Sequence, residues 1–157
     1  MNRILIVFFV LLPALGFSQT YINKSRARVK QELEQYRLKN DNLTITILEA
    51  GGTIRLSVLG GNLPPARFIY SFDKTGKCNS EKAILLCDSC TNEYLKATLN
   101  QKQIRWRKIN ENQYVSEFSK RLMLELPLDS SDHSYTILRM NWSQKMYDML
   151  LQKQNAY

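Results

Sequence analysis

The chain has 157 residues, 44% hydrophobic and 23% charged, with 22 Lys and Arg against 14 Asp and Glu, a formal charge of +8. That length fits one domain with a real core, and nothing in it reads as low-complexity sequence or a long linker. One histidine and three cysteines leave little material for a His-based triad or a four-ligand zinc site.

Residues 1–18 read as a secretory signal peptide. Arg3 gives a short positive start, Ile4 to Leu15 is almost unbroken apolar sequence, and Gly16-Phe17-Ser18 places small residues before a cut at Gln19. A membrane anchor needs about 20 apolar residues; this run is shorter and polar sequence follows, so no transmembrane anchor is expected after signal removal. No cysteine lies near the cut, which argues against a lipoprotein. The mature chain, residues 19–157, loses only Arg3 of the charged residues and stays near +7. The expected location is periplasmic or secreted. An exported basic protein rarely meets nucleic acid, so none is expected, and an envelope protein or an acidic surface is the more natural partner, beside plain solubility.

Tyr21 to Asn40 has the pattern of a first helix, with Ile22, Val29, Leu33 and Tyr36 as its apolar stripe and Asn23 or Ser25 as its cap. Leu43, Ile45 and Ile47, then Ile54, Leu56 and Val58, alternate with polar residues and predict two half-buried strands. Gly51-Gly52 between them suits a tight hairpin. Gly60 to Pro65 is a loop, since its two prolines cannot donate to a sheet ladder. Phe68, Tyr70 and Phe72 share one face of a third strand, Asp73-Lys74-Thr75-Gly76 turns, and Lys77 to Leu86 returns with a bulge near Asn79-Ser80. Asp88 or Ser89 then caps a helix to about Gln101, with Leu95 and Leu99 on its buried side.

The second half follows the same plan. Ile104, Trp106 and Lys108 alternate with Arg105 and Arg107, Asn110-Glu111-Asn112 turns, and Tyr114 to Phe118 returns. Leu122, Leu124, Leu126 and Leu128 line one face of the next strand; Asp129 to His133 turns into a last strand, Tyr135 to Met140. Asn141 to Gln144 has capping-box form, and Trp142, Met146, Met149 and Leu150 give the stripe of a C-terminal helix. Helices separated by hairpin-connected strands, with no βαβ alternation, predict an α+β fold: an antiparallel sheet with helices packed on one face, in two helix-plus-strands repeats followed by a C-terminal helix.

This order of elements, from Tyr21 to Leu151, with Tyr21-Ile22 and Phe72-Asp73-Lys74-Thr75-Gly76-Lys77-Cys78 as its local marks, resembles small exported α+β proteins of Bacteroidota. More distantly it is similar to BLIP-like and TBP-like folds. The BLIP-like pattern implies an inhibitor of an exported enzyme as one possible role.

Cys87-Asp88-Ser89-Cys90 is the sharpest chemical motif. A C-x-x-C at a helix start places a sulfur near free N–H groups that stabilise a thiolate, and a strand leads into it, as in thioredoxin-like enzymes. Those enzymes need a crossover to a parallel strand before their proline strand, whereas residues 104–126 read as antiparallel hairpins. A structural disulfide among Cys78, Cys87 and Cys90 is the stronger reading in an oxidising compartment. All three pairings stay open; Cys87–Cys90 is favoured, because Cys78 and Cys87 lie far apart along one strand. One C-x-x-C does not make a zinc site, and no metal or cofactor is expected.

Lys102, Arg105, Trp106, Arg107 and Lys108 form a basic stretch around an aromatic and are the binding candidates: stacking flanked by cations can hold a strand or glycan. The competing reading points Trp106 into the core and Arg105 and Arg107 to water. His133 reads as a solvated turn residue. No catalytic set emerges, so the reading is an exported, non-catalytic binding or structural protein of the bacterial envelope. A thiol–disulfide redox factor using Cys87 and Cys90 is the main alternative.

Overall fold

The computed structural model describes residues 20–61, 64–129 and 131–154; the expected signal peptide lies outside the described residues. The order is helix α1 (Arg26–Lys39), strands β1 (Thr44–Ala50), β2 (Thr53–Leu59), β3 (Ala66–Phe72) and β4 (Cys78–Leu85), then helix α2 (Asp88–Leu99). Strands β5 (Arg107–Asn110), β6 (Gln113–Val115), β7 (Leu122–Glu125) and β8 (Ser134–Arg139) and helix α3 (Gln144–Gln154) complete it. All eight strands form one antiparallel sheet in the order β1-β2-β3-β4-β8-β7-β6-β5. The fold is α+β, as the element pattern predicts. Each half is a meander, and the two meet where β4 pairs with β8, Ala83 opposite Tyr135.

Local chemistry fixes the first half. Gly51 and Gly52 both take positive φ, 55° and 78°, the pattern a two-residue hairpin requires. Asn79 is the extra residue where the β3–β4 register shifts, so the expected bulge is there. The first helix begins later than its stripe implies. Residues 20–25 form a strap beside the β3–β4 hairpin: the Asn23 N–H donates to the Cys78 carbonyl (2.8 Å), and the Cys78 N–H to the Lys24 carbonyl (2.9 Å). Those bonds satisfy the backbone before a helix can, and Ser25 caps α1 by accepting from the Arg28 N–H at 3.3 Å.

α1 and α2 cover one face of the sheet. Val29 and Leu33 from α1 and Cys90 from α2 join Ile54, Leu56, Phe68, Ala83, Leu124 and Ile137 in the main core. α3 departs from the expected packing of helices on one face: it takes the reverse face over β5–β7, where Trp142 and Tyr147 pack with Val115 and Met123. Met123 alternates with Leu122 and Leu124, so the two clusters are on opposite sides. The buried stripe of α3 is Tyr147 and Leu150 rather than Met146 and Met149, which are 51% and 47% exposed. The Tyr147 hydroxyl donates to the Ser116 carbonyl (2.8 Å), and this bond sets the helix's rotation.

Candidate interaction face and other candidate sites

Cys87 and Cys90 are joined by a disulfide, with Cα atoms 5.2 Å apart. Cys87 is the N-cap of α2, its sulfur accepting from the Cys90 N–H at 3.2 Å, so the cap is the sulfur and not Asp88 or Ser89. Cys78 is free and buried, and desolvation pushes its thiol up to about 12, which leaves it an unreactive apolar filler. The strand leading into the motif, β4, runs antiparallel to both of its neighbours, β3 and β8. The motif therefore lacks the parallel-strand setting of thioredoxin-like chemistry. Closing so short a loop stabilises by about 2 kcal/mol in the chain-entropy account. Replacing both cysteines with serine, which keeps an acceptor at the cap, is expected to cost no more than that in denaturant titration. The serine protein should match the reduced wild type.

The basic stretch is dispersed. Arg105 takes φ 56°, which breaks the expected extended run, so β5 begins only at Arg107. Turn hydrogen bonds, Ile104 N–H to Gln101 carbonyl and Glu117 N–H to Ile104 carbonyl, hold this kink. Trp106 packs against the main core and its Nε1 donates to the Thr98 carbonyl at 3.1 Å. Arg105 pairs with Glu117 at 3.4 Å and Lys108 with Glu111 at 2.9 Å, while Lys102 and Arg107 are exposed. The stretch thus offers two exposed cations, two partly neutralised ones and no outward aromatic. His133 is not simply solvated: it is half-buried, with Nδ1 3.0 Å from the Asp88 carboxylate and its carbonyl accepting from the Leu85 N–H. Among the described residues there is no group of three or more His, Cys, Asp or Glu that could hold a metal ion, and no helix long and apolar enough to cross a membrane.

Two features escape the sequence reading. The first is Glu81, at the centre of the sheet. It stands opposite Tyr70 on one side and Ile137 on the other, on the helix-covered face. Its carboxylate accepts from the Thr20 hydroxyl (2.9 Å) and, in a short contact, from the Tyr21 N–H. Desolvation outweighs those bonds and raises its pKa to about 7. The tyrosines around it are raised too by burial, Tyr21 and Tyr135 to about 12 and Tyr70 well above its ordinary value. A cavity of about 30 Å³ lies among Glu81, Tyr70, Thr98, Gln101 and Tyr135, room for something of water size. Alternation back from Leu85 and Ala83 places Glu81 inward, and that was the available signal.

The second feature is the reverse face of β1–β4. Register aligns Leu48, Arg55, Ile69, Lys82 and Thr136 in one row, and Thr46, Ser57, Arg67, Ile84 and Ser134 in the next. Every reverse-facing residue of β1–β4 is aliphatic, hydroxylated or cationic, and Lys82 pairs with Asp132 at 3.7 Å. Arg55 and Arg67 are exposed, as are Leu48, Leu59 and Leu86, at 60%, 49% and 69%. At one end a groove of about 240 Å³ opens between Leu59, Pro65, Arg67, Ile84 and Leu86. No described helix packs on this face. Its signal was in the sequence, as the outward half of each alternating strand, but adjacency across strands needs the register.

A scan against protein-family models, a search of curated proteins and a search of solved structures each find no match.

Proposed function

We propose that this chain is an exported, non-catalytic binding protein of the bacterial envelope that docks an acidic protein surface on the bare face of β1–β4. The observation that carries this reading is the pairing of Arg55, Arg67 and Lys82 with exposed Leu48, Leu59 and Leu86 on a helix-free face to which β1–β4 turn no carboxylate. Apolar patches interleaved with like charge are characteristic of interaction surfaces, and the sign of the charge selects an acidic partner. An acidic inhibited enzyme would be one such partner. The Arg55→Glu, Arg67→Glu double variant tests the reading. Both positions are exposed, so the fold should survive, while affinity for the partner falls about 10- to 100-fold. Binding by the wild type should weaken with added salt. Unchanged affinity in the double variant would reject this face as the contact.

The redox alternative has one observation in its favour: Cys87 is only half-buried at the helix start, ahead of the buried Cys90. It makes an opposite demand. The double serine variant would then lose mixed-disulfide trapping and function while keeping the charge-dependent contact.

A further inference from the structure

A second charged surface lies at the other end of β4, away from the Leu59–Leu86 groove. It is a cleft of about 490 Å³ between the strap (Asn23), the turn Ser119–Arg121 and the end of β8 (Arg139, Asn141). That volume is in the range of small-molecule sites. We propose that this cleft binds a small, multiply charged oxyanion, a phosphate or polycarboxylate, through Arg121, Lys120 and Arg139.

Three observations carry it. Lys120 and Arg121 have no carboxylate partner among the described residues, and both are exposed. The Arg121 guanidinium is placed over the Phe118 ring, 5.4 Å from its centre, which limits where it can point. Arg139 is held in place: Nη1 donates to the Asn23 side-chain oxygen at 3.1 Å and Nη2 makes a short contact with the Asp73 carboxylate. A hydrogen bond from the Thr75 hydroxyl, together with Arg139, keeps the Asp73 carboxyl far below the usual range, so this anchor stays charged. One carboxylate thus offsets three cations. Guanidinium groups fixed in this way have further N–H donors that can meet the oxygens of carboxylate and phosphate.

The backbone of the cleft is also held in place. Asn23 and Arg121 are two of the three non-glycine residues with positive φ among the described residues, at 71° and 52°. Each is locked by main-chain bonds: Asn23 N–H to the Cys78 carbonyl, and the Arg121 carbonyl accepting from the Met140 N–H at 2.8 Å. Left-handed conformations cost energy for such residues and gather where a site needs a side chain aimed.

The test is titration of the mature chain with inorganic phosphate and with citrate in low-salt buffer, with chloride at matched ionic strength as control, followed by amide chemical shifts. Phosphate or citrate should shift the amides of residues 119–121 and 139–141 selectively. The tighter of the two identifies a phosphate-bearing or a polycarboxylate ligand. Lys120→Gln and Arg121→Gly, the second chosen because glycine accepts the positive φ, should each weaken binding about 10-fold. The Arg55→Glu, Arg67→Glu protein should bind as wild type, which separates this site from the proposed interaction face. No shift beyond chloride, or wild-type affinity in both cleft variants, overturns the proposal.

Discussion

Glu81→Gln is expected to stabilise the protein by about 3 kcal/mol at pH 8 and to leave it unchanged near pH 4. The folded pKa of Glu81 is raised to about 7 from an ordinary value of 4.5, mainly by desolvation. A carboxyl with a raised folded pKa holds its proton in the native state between those two values while the unfolded chain has released it. Stability therefore rises as pH falls from above 7 to about 4.5, and no further below that. The gap between the two values corresponds to about 3 kcal/mol. Glutamine is close to isosteric, stays neutral and keeps an oxygen for Thr20 and Tyr21. The difference between the two proteins isolates this one group from every other titration. Denaturant midpoints from pH 4 to 8 would check it; parallel curves would mean that Glu81 ionises as freely as a surface glutamate.

Leu56→Ala and Leu124→Ala are each expected to cost between about 2 and 5 kcal/mol. Both side chains are fully buried, one in each meander. They share one core because β4 and β8 join the halves and Ile137 stands opposite both Leu124 and Glu81. Unfolding should stay a single transition that moves as a whole in either variant. Two transitions, with each variant shifting only its own half, would show that the repeats are separate folding units. A domain of this size has only about 5–15 kcal/mol in total, so either change should also lower the yield of folded protein.

Much of this architecture is written in local chemistry. Gly51-Gly52, the Ser25 cap, the Asn79 bulge and the alternating strands of the first half each depend on a few adjacent residues, and each is where the sequence puts it. The errors arise where a distant partner decides. Ile22 continues the helical stripe of α1, yet it belongs to the strap because the backbone around it pairs with Cys78 and Gly76. Met146 and Met149 fit an apolar stripe, but a bond from Tyr147 to Ser116, 31 residues away, turns α3 to a different face. Arg105 looks like a strand residue until the turn at Gln101–Ile104 puts it in the left-handed region.

The candidate sites divide in the same way. The favoured Cys87–Cys90 pair needs only the turn between a strand and a helix, and three residues of separation make it readable. The bare face needs four strands in register before Arg55, Arg67 and Lys82 become neighbours, and the anion cleft joins residues from the strap, a turn and β8. Charge alone pointed to the stretch around Trp106, whose ring is committed to the core. The cysteines, first in chemical promise, close a disulfide at the start of α2, and the surface proposed for a partner is the uncovered sheet.

The most direct measurement is site-specific photo-crosslinking from position 69, at the centre of that face, in the cells that make the protein. A photoreactive residue in place of Ile69 should give one dominant adduct with an acidic envelope protein, and the adduct should vanish when Arg55→Glu and Arg67→Glu are added. No adduct from position 69, an adduct that survives the charge reversal, or the same adduct from Arg28 on the exposed side of α1 would contradict the bare face as the site of binding.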